Sequence, residues 1–281
     1  LRNTGSTLQF NATSEQSNEI RADRNVTDII RTQSSVSGDV NFELSYATYD
    51  DFVAAVLSTG DTAPGILTNG TTKKYFTFER KFETGATDIY EQFMSNEIDT
   101  MSLNFAASSI VTGSMTMLGI NATQSATSID GDGYTPANTN RVFNAVNMVT
   151  TVLEGGVEYK SNVQSLTMEF ANNKRESRAI GSEAPSCIGD GQFTVTGTLT
   201  TYLKDNVVYD KFLGQTISSI ELGLEDDAGN IINIDLPSVI YSETDRSVGG
   251  NNEDVLAVYN FQAVYDAGIG GTTQWTITDT I

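Results

Sequence analysis

The side chains able to do chemistry in this chain are mostly carboxylates. There are 36 Asp and Glu against 16 Lys and Arg, no histidine, and a single cysteine, Cys187. A glycosidase needs only two carboxylates, but among so many acids pairs arise by accident and none stands out. The missing histidine removes the commonest general base and the commonest zinc ligand. Cys187, beside Pro185 and Ser186, has no imidazole to activate it. One cysteine makes neither an intrachain disulfide nor a cysteine metal cluster. Asp130-Gly131-Asp132-Gly133 opens like a calcium loop, yet such a loop needs an oxygen ligand at its fifth position and Glu at its twelfth. Tyr134 and Arg141 stand there, so the segment reads as flexible linker. The Asn-x-Thr sequons at Asn11, Asn25, Asn69 and Asn121 follow from abundant Asn and Thr. No catalytic residue, metal ligand or cofactor is expected.

Charge narrows the function further. A net charge of −20 excludes a protein that wraps nucleic acid by neutralising phosphates. No run approaches the ~18 apolar residues of a membrane helix, so no membrane insertion is expected. Leu1-Arg2-Asn3-Thr4-Gly5 carries no apolar leader core. The basic residues fall into groups: Arg21, Arg24 and Arg31; Lys73, Lys74, Arg80 and Lys81; Lys174, Arg175 and Arg178. In so acidic a chain such groups pair with carboxylates, and in a self-assembling protein those carboxylates belong to a neighbour. Arg21, Arg24, Arg31, Arg175 and Arg178 are therefore the candidate subunit-interface residues. Ordinary surface ion pairs are the alternative.

The elements that hold these residues are strands. Hydrophobic content of 38 %, 24 glycines and only 4 prolines fit many strands joined by Gly and Asn turns. From Ser35 to Tyr46 the alternation is strict. Val36, Gly38, Val40, Phe42, Leu44 and Tyr46 share one face, and Asp39, Asn41 and Glu43 lie on the other, as a half-buried antiparallel strand requires. From Gln192 to Leu203, Phe193, Val195, Gly197, Leu199 and Leu203 oppose Thr194, Thr196, Thr198 and Thr200.

The two strands read as copies. Val36-Ser37-Gly38 recurs as Val195-Thr196-Gly197, and Tyr49-Asp50-Asp51-Phe52 recurs as Tyr209-Asp210-Lys211-Phe212, both about 160 residues on. Each YDxF opens a short helical pattern. Arg21 to Val26 resembles Arg175 to Ile180. Strands are expected over Tyr75–Phe82, Met101–Phe105 and Val111–Leu118 in the first copy. In the second they are expected over Ile220–Glu225, Ile231–Leu236 and Val255–Tyr265, with a hairpin turn at Asp226–Asn230. Thr123 to Asn140 reads as linker, followed by a short helix over Arg141 to Leu153. The expected fold class is all-β with short flanking helices. The division is a first β-domain over 1–122, a linker with a short helix over 123–158, and a second β-domain over 159–281.

The order of blocks is also recognisable. Ser17 to Arg24 leads into Val36-Ser37-Gly38-Asp39-Val40 and Glu43 to Asp51. Phe78 to Phe82, Ile110 to Ser114, Leu153 to Gly156, Val195 to Thr200 and Tyr259 to Asp266 follow. This resembles the major tail tube proteins of long-tailed, non-contractile bacteriophages, the siphophages, over nearly the whole chain. The resemblance implies two tandem β-sandwich or open-barrel copies, each with a flanking helix. It implies a structural virion protein that forms rings stacked into a tube through which double-stranded DNA passes into the host. Single-domain relatives form hexameric rings, so a chain with two copies implies three subunits with pseudo-sixfold symmetry. The implied partners are copies of the chain and the tape measure, tail terminator and distal tail proteins; the implied location is the phage tail, assembled in the host cytoplasm. Candidate lumen-facing residues are Asp39, Asn41, Glu43, Thr196, Thr198 and Thr200. A wall of carboxylates and hydroxyls repels phosphates, which suits a conduit that must release DNA.

Other classes remain beside this one. An adhesin or carbohydrate-binding β-sandwich wants exposed aromatics on one face, but the chain has 1 Trp and 11 Tyr, several on apolar faces. A two-carboxylate hydrolase has no specific signal. An outer-membrane barrel needs an outward apolar band with aromatic girdles.

Overall fold

The computed structural model describes residues 1–85, 87–131, 133–246, 250–251 and 254–280. Asp132, part of the calcium-like segment and of the expected linker, lies outside them. The first half runs β1 (Gly5–Ser6), β2 (Gln9–Gln16), β3 (Ile29–Glu43), α1 (Asp50–Val56), β4 (Gly65–Thr68), β5 (Phe76–Phe82), β6 (Ile89–Ala106), β7 (Thr112–Gly119) and β8 (Asn121–Ser125). The second runs β9 (Val149–Glu154), β10 (Val157–Glu158), β11 (Val163–Ala171), β12 (Arg175–Ser177), β13 (Cys187–Gly189), β14 (Thr194–Tyr202), α2 (Val207–Gly214), β15 (Ser218–Glu225), β16 (Ile231–Asp245), β17 (Leu256–Ala263) and β18 (Gln274–Thr278). The fold is mostly β with two short helices, as the alternating patterns predict.

Among the described residues, all strands but the β12–β13 hairpin join a single 16-stranded antiparallel sheet that does not close into a barrel. Its spine runs β2, β3, β7, β6 and then β11, β14, β17, β16. The halves are joined edge to edge, with Thr100 to Ala106 of β6 paired to Ala171 to Ser165 of β11. Long strands fold this sheet over on itself. β6 pairs with β5 and β8 through its first part and with β7 and β11 through its last. β16 pairs with β15 and β18 through its first part and with β17 through its last. The partners change between Asn96 and Glu97 in β6 and at Val239 in β16, and bulges follow between Ile98 and Thr100 and between Tyr241 and Glu243, where an extra residue kinks and twists the strand. Pro237, which has no N–H to donate, stands beside the second bend.

The core lies inside these folds. Val36, Val40, Phe42 and Leu44 of β3, Met101, Leu103 and Phe105 of β6, Leu166, Met168 and Phe170 of β11, and Val195 and Leu199 of β14 are all buried. Phe170 meets Trp275 edge to face at 5.5 Å. Gly197 is paired with Phe261, whose ring lies where a Cβ would project, and Gly113 stands in the same relation to Phe42. Helix α1 packs on β6 and α2 on β16.

One expected element is corrected. Arg141 to Leu153 is not a helix. Residues 141–148 make turns and isolated bridges, Ser45 to Val142 and Ile110 to Asn144. β9 then pairs with β15. Val149-Thr150-Thr151-Val152 is a β-branched run, which crowds in a helix and fits a pleat, and the open edge of β15 supplies the ladder. The linker also begins later than expected, because β8 extends to Ser125. Its next residues are pinned: the Ile129 N–H and the Ser128 and Tyr134 hydroxyls all donate to Glu79. Burial opposes ionisation of Glu79, but these donors and Gln92 outweigh it and hold the carboxyl down at about 2.

Candidate functional site

The side of the spine turned away from the core is polar across both halves. Cross-strand partners share a face, so the ladders define rows. One row runs Asn41, Ser114, Ser102, Glu169, Thr196, Gln262 and Ile240. The next runs Glu43, Thr112, Asn104, Thr167, Thr198, Asn260 and Glu243. On either side lie Asp39 with Thr116 and Thr100, and Ser165 with Thr200, Val258 and Asp245. A shallow groove of about 530 Å³ follows the middle of this face, between Ser102 and Asn104 on one flank and Glu243 and Gln262 on the other.

All six residues singled out as lumen candidates lie on this one face. Asp39, Asn41 and Glu43 come from β3 and Thr196, Thr198 and Thr200 from β14, four strands apart along the spine. The Thr116 hydroxyl donates to Asp39 at 2.7 Å, Thr198 donates to Asn260 at 2.9 Å, and Asn260 donates to Glu243 at 3.0 Å. Glu169, Glu243 and Asp245 add carboxylates that the two-strand reading missed. Their signal was present for Glu169: Ser165, Thr167 and Glu169 alternate with Leu166, Met168 and Phe170. The rows contain no Lys, no Arg and no aromatic side chain. Such a face offers a phosphate no cation to pair with and a sugar ring no aromatic to stack on.

The arginine candidates sit in two corresponding connections. Arg21 and Arg24 lie between β2 and β3, and Arg175 and Arg178 lie between β11 and β14. Arg21 pairs with Asp23 at 3.0 Å, and this partner holds Asp23 down at about 2. Arg31 lies 5.7 Å over the Phe10 ring. Arg175 donates to the Asp190 carbonyl, and Arg178 pairs with Glu176 and donates to the Ser34 carbonyl of the first half. The strongest charge cluster at the seam is built on lysines instead. Buried Lys174 meets Glu97 at 2.7 Å and Asp190 at 2.6 Å, and Lys73 reaches Glu97 at 3.7 Å. Burial works against the Lys174 charge, but the two carboxylates outweigh it and hold its amine above the usual lysine range.

Asp50, the first residue of α1, is an acid at odds with its surroundings. Burial, and then the charge of Asp51, push its carboxyl from an ordinary 3.8 up to about 6. A raised acid favours the folded state fully below about pH 4 and loses that contribution as pH rises through about 6. Asp50→Asn is expected to flatten that part of the stability profile and to stabilise the protein at pH 7 by about 1 kcal/mol, discounted because the group is partly exposed. Melting curves from pH 4 to 7 check this; an unchanged pH slope in the variant counts against it.

The polar face is backed by a core and continuous across the two halves. The family described as phage tail tube protein matches residues 4–263, so the chain belongs to that family. Its members are structural virion proteins that assemble with copies of themselves and with other tail proteins into the tail tube. No curated protein is similar enough to the chain to add a relative.

Proposed function

We propose that the chain is two copies of one tail-tube unit, over 1–122 and 159–281, and that three chains close a pseudo-sixfold ring. The rings stack into a siphophage tube whose wall is the polar face, and double-stranded DNA passes along it without specific binding. The observation that supports this is the seam between the halves. β6 and β11 are joined by a strand ladder inside the chain, and both ends of the spine carry the matching edges. Among the described residues, β1 and β2 pair only with β3. β16, from Ile240 to Thr244, has β17 on one side and no strand on the other among the described residues. Bare edges of this kind call for a partner.

The register of that contact follows from the seam. The bulges set Glu243 against Thr100 and Thr244 against Met101. Phe10 pairs with Val36 as Phe170 pairs with Val195. Because Met101 pairs with Phe170, Thr244 of one chain pairs with Phe10 of the next. The closed tube meets the tape measure, tail terminator and distal tail proteins, and assembles in the host cytoplasm. Electron microscopy of assembled tubes tests the reading. The expected result is three chains per ring with the polar rows facing the lumen. Six chains per ring, or these rows on the outer surface, overturns it.

A further inference from the structure

We propose that the β2–β3 hairpin arm of one chain lies across helix α2 of its neighbour in the same ring; the proposal rests on the three-chain ring above. Two mismatches between the halves carry it. The first concerns the helices. Tyr49-Asp50-Asp51-Phe52 matches Tyr209-Asp210-Lys211-Phe212, which sets Val53 against Leu213 and Leu57 against Ile217. Val53 is 3 % exposed and Leu57 0 %, whereas Leu213 is 62 % exposed and Ile217 58 %. Helix α1 is covered twice. The chain after it folds back, with the Gly70 N–H donating to the Leu57 carbonyl. The second half then adds Asn172, whose Nδ2 donates to the Val56 carbonyl at 2.9 Å. Among the described residues helix α2 has neither cover, because only Gln215 to Ile217 separate it from β15; Arg246 lies over its Tyr209 ring instead.

The second mismatch lies in the connections that follow β2 and β11. After β11 the chain turns back onto its own first half, through Lys174 to Glu97, Lys73 to the Ile188 carbonyl and Arg178 to the Ser34 carbonyl. In the first half the edge strand runs on. β11 stops at Ala171, the counterpart of Asn11, whereas β2 stays paired with β3 as far as Gln16 and Ile29. This longer arm exposes Ile29, Ile30 and Val26. It also carries Arg21, Arg24 and Arg31.

The two mismatches fit each other. Asn172, just past β11, touches the end of α1, and its counterpart in the first half is Ala12. Once β2 pairs with a neighbour's β16, the arm beyond Ala12 meets the end of that neighbour's α2. Apolar Ile29 and Ile30 then face apolar Leu213 and Ile217, and the arm's arginines face the exposed Asp205 and Asp210. The surface is continuous with the open β16 edge, so one docking event covers both.

Photo-crosslinking tests this on assembled tubes built from mixed isotopically labelled and unlabelled chains, with a benzophenone amino acid at position 217. The expected products join position 217 to residues 10–34 of another chain, in a ladder that ends at three chains because the ring closes. Crosslinks to other segments, or only within one chain, overturn the contact even if each ring holds three chains. A ladder beyond three chains places the contact between rings and also overturns it. Six chains per ring instead defeats the ring reading itself. As a second measurement, the variant carrying Leu213→Asp and Ile217→Asp is expected to melt as the parent monomer does and to lose at least tenfold in tube yield. Normal tube yield overturns the proposal.

Discussion

Phe10→Glu is expected to leave a folded monomer that forms no tubes, while Phe170→Glu is expected not to fold. The two residues occupy matching posts on β2 and β11. Phe170 is 0 % exposed, sealed by β6 and Trp275, whereas Phe10 is 38 % exposed with Arg31 over its ring. Removing a core Phe ring costs about 3–5 kcal/mol, and an unpaired carboxylate in its place costs more. That is comparable with the whole stability of a domain, roughly 5–15 kcal/mol. At position 10 the carboxylate stays in water beside Arg31, so the free chain loses about 1 kcal/mol or less. The damage appears only when a neighbour's β16 tries to bury that site. Circular dichroism melts, sedimentation and electron microscopy of both variants check this. Tubes from Phe10→Glu, or a melt as damaged as that of Phe170→Glu, would count against an edge-to-edge seam between chains.

The fold was legible where one face of a strand is wet. Ser35 to Tyr46 and Gln192 to Leu203 alternate because one side meets the core and the other the polar face, and β3 and β14 fall there. β11 alternates equally well and was passed over. β2, Gln-Phe-Asn-Ala-Thr-Ser-Glu-Gln, gave no strand pattern because it is an edge with most of its residues exposed, so burial imposes no period on it. The apolar spacing of β9 is ambiguous over a few residues and predicts helix, whereas its β-branched run is the better guide. The joining of β6 to β11 had no local signal at all. A ladder is made by backbone groups, which every residue carries, so sequence pattern names faces but not partners. For the same reason Asp39 and Glu43, and equally Glu169 on the alternating β11, are legible from their own strands, while the place of Glu243 in the row of Glu43 comes only from the pairing.

Replacing Asp39, Glu43 and Glu169 together by Lys is expected to preserve folding and tube assembly but to slow DNA ejection strongly, most of all at low salt. All three side chains lie on the polar face, and none has a lysine or arginine partner in the rows beside it. Asp39 loses only the hydrogen bond from Thr116, a change worth about 1 kcal/mol. The effect on passing DNA is larger because it repeats around every ring. On the proposed lumen wall, these groups as carboxylates would hold phosphates off within about one Debye length, roughly 8 Å at physiological salt. As ammonium groups they neutralise phosphates and release counterions, and each such contact steepens the salt dependence of binding by about 0.9 in log–log slope. DNA sliding through a stack of such rings would re-form contacts at every step. Ejection rates measured in vitro at several salt concentrations decide the matter. A slowing that fades as salt rises is the expected result. Ejection at the parent rate at every salt concentration would mean that this face does not line the path of the DNA.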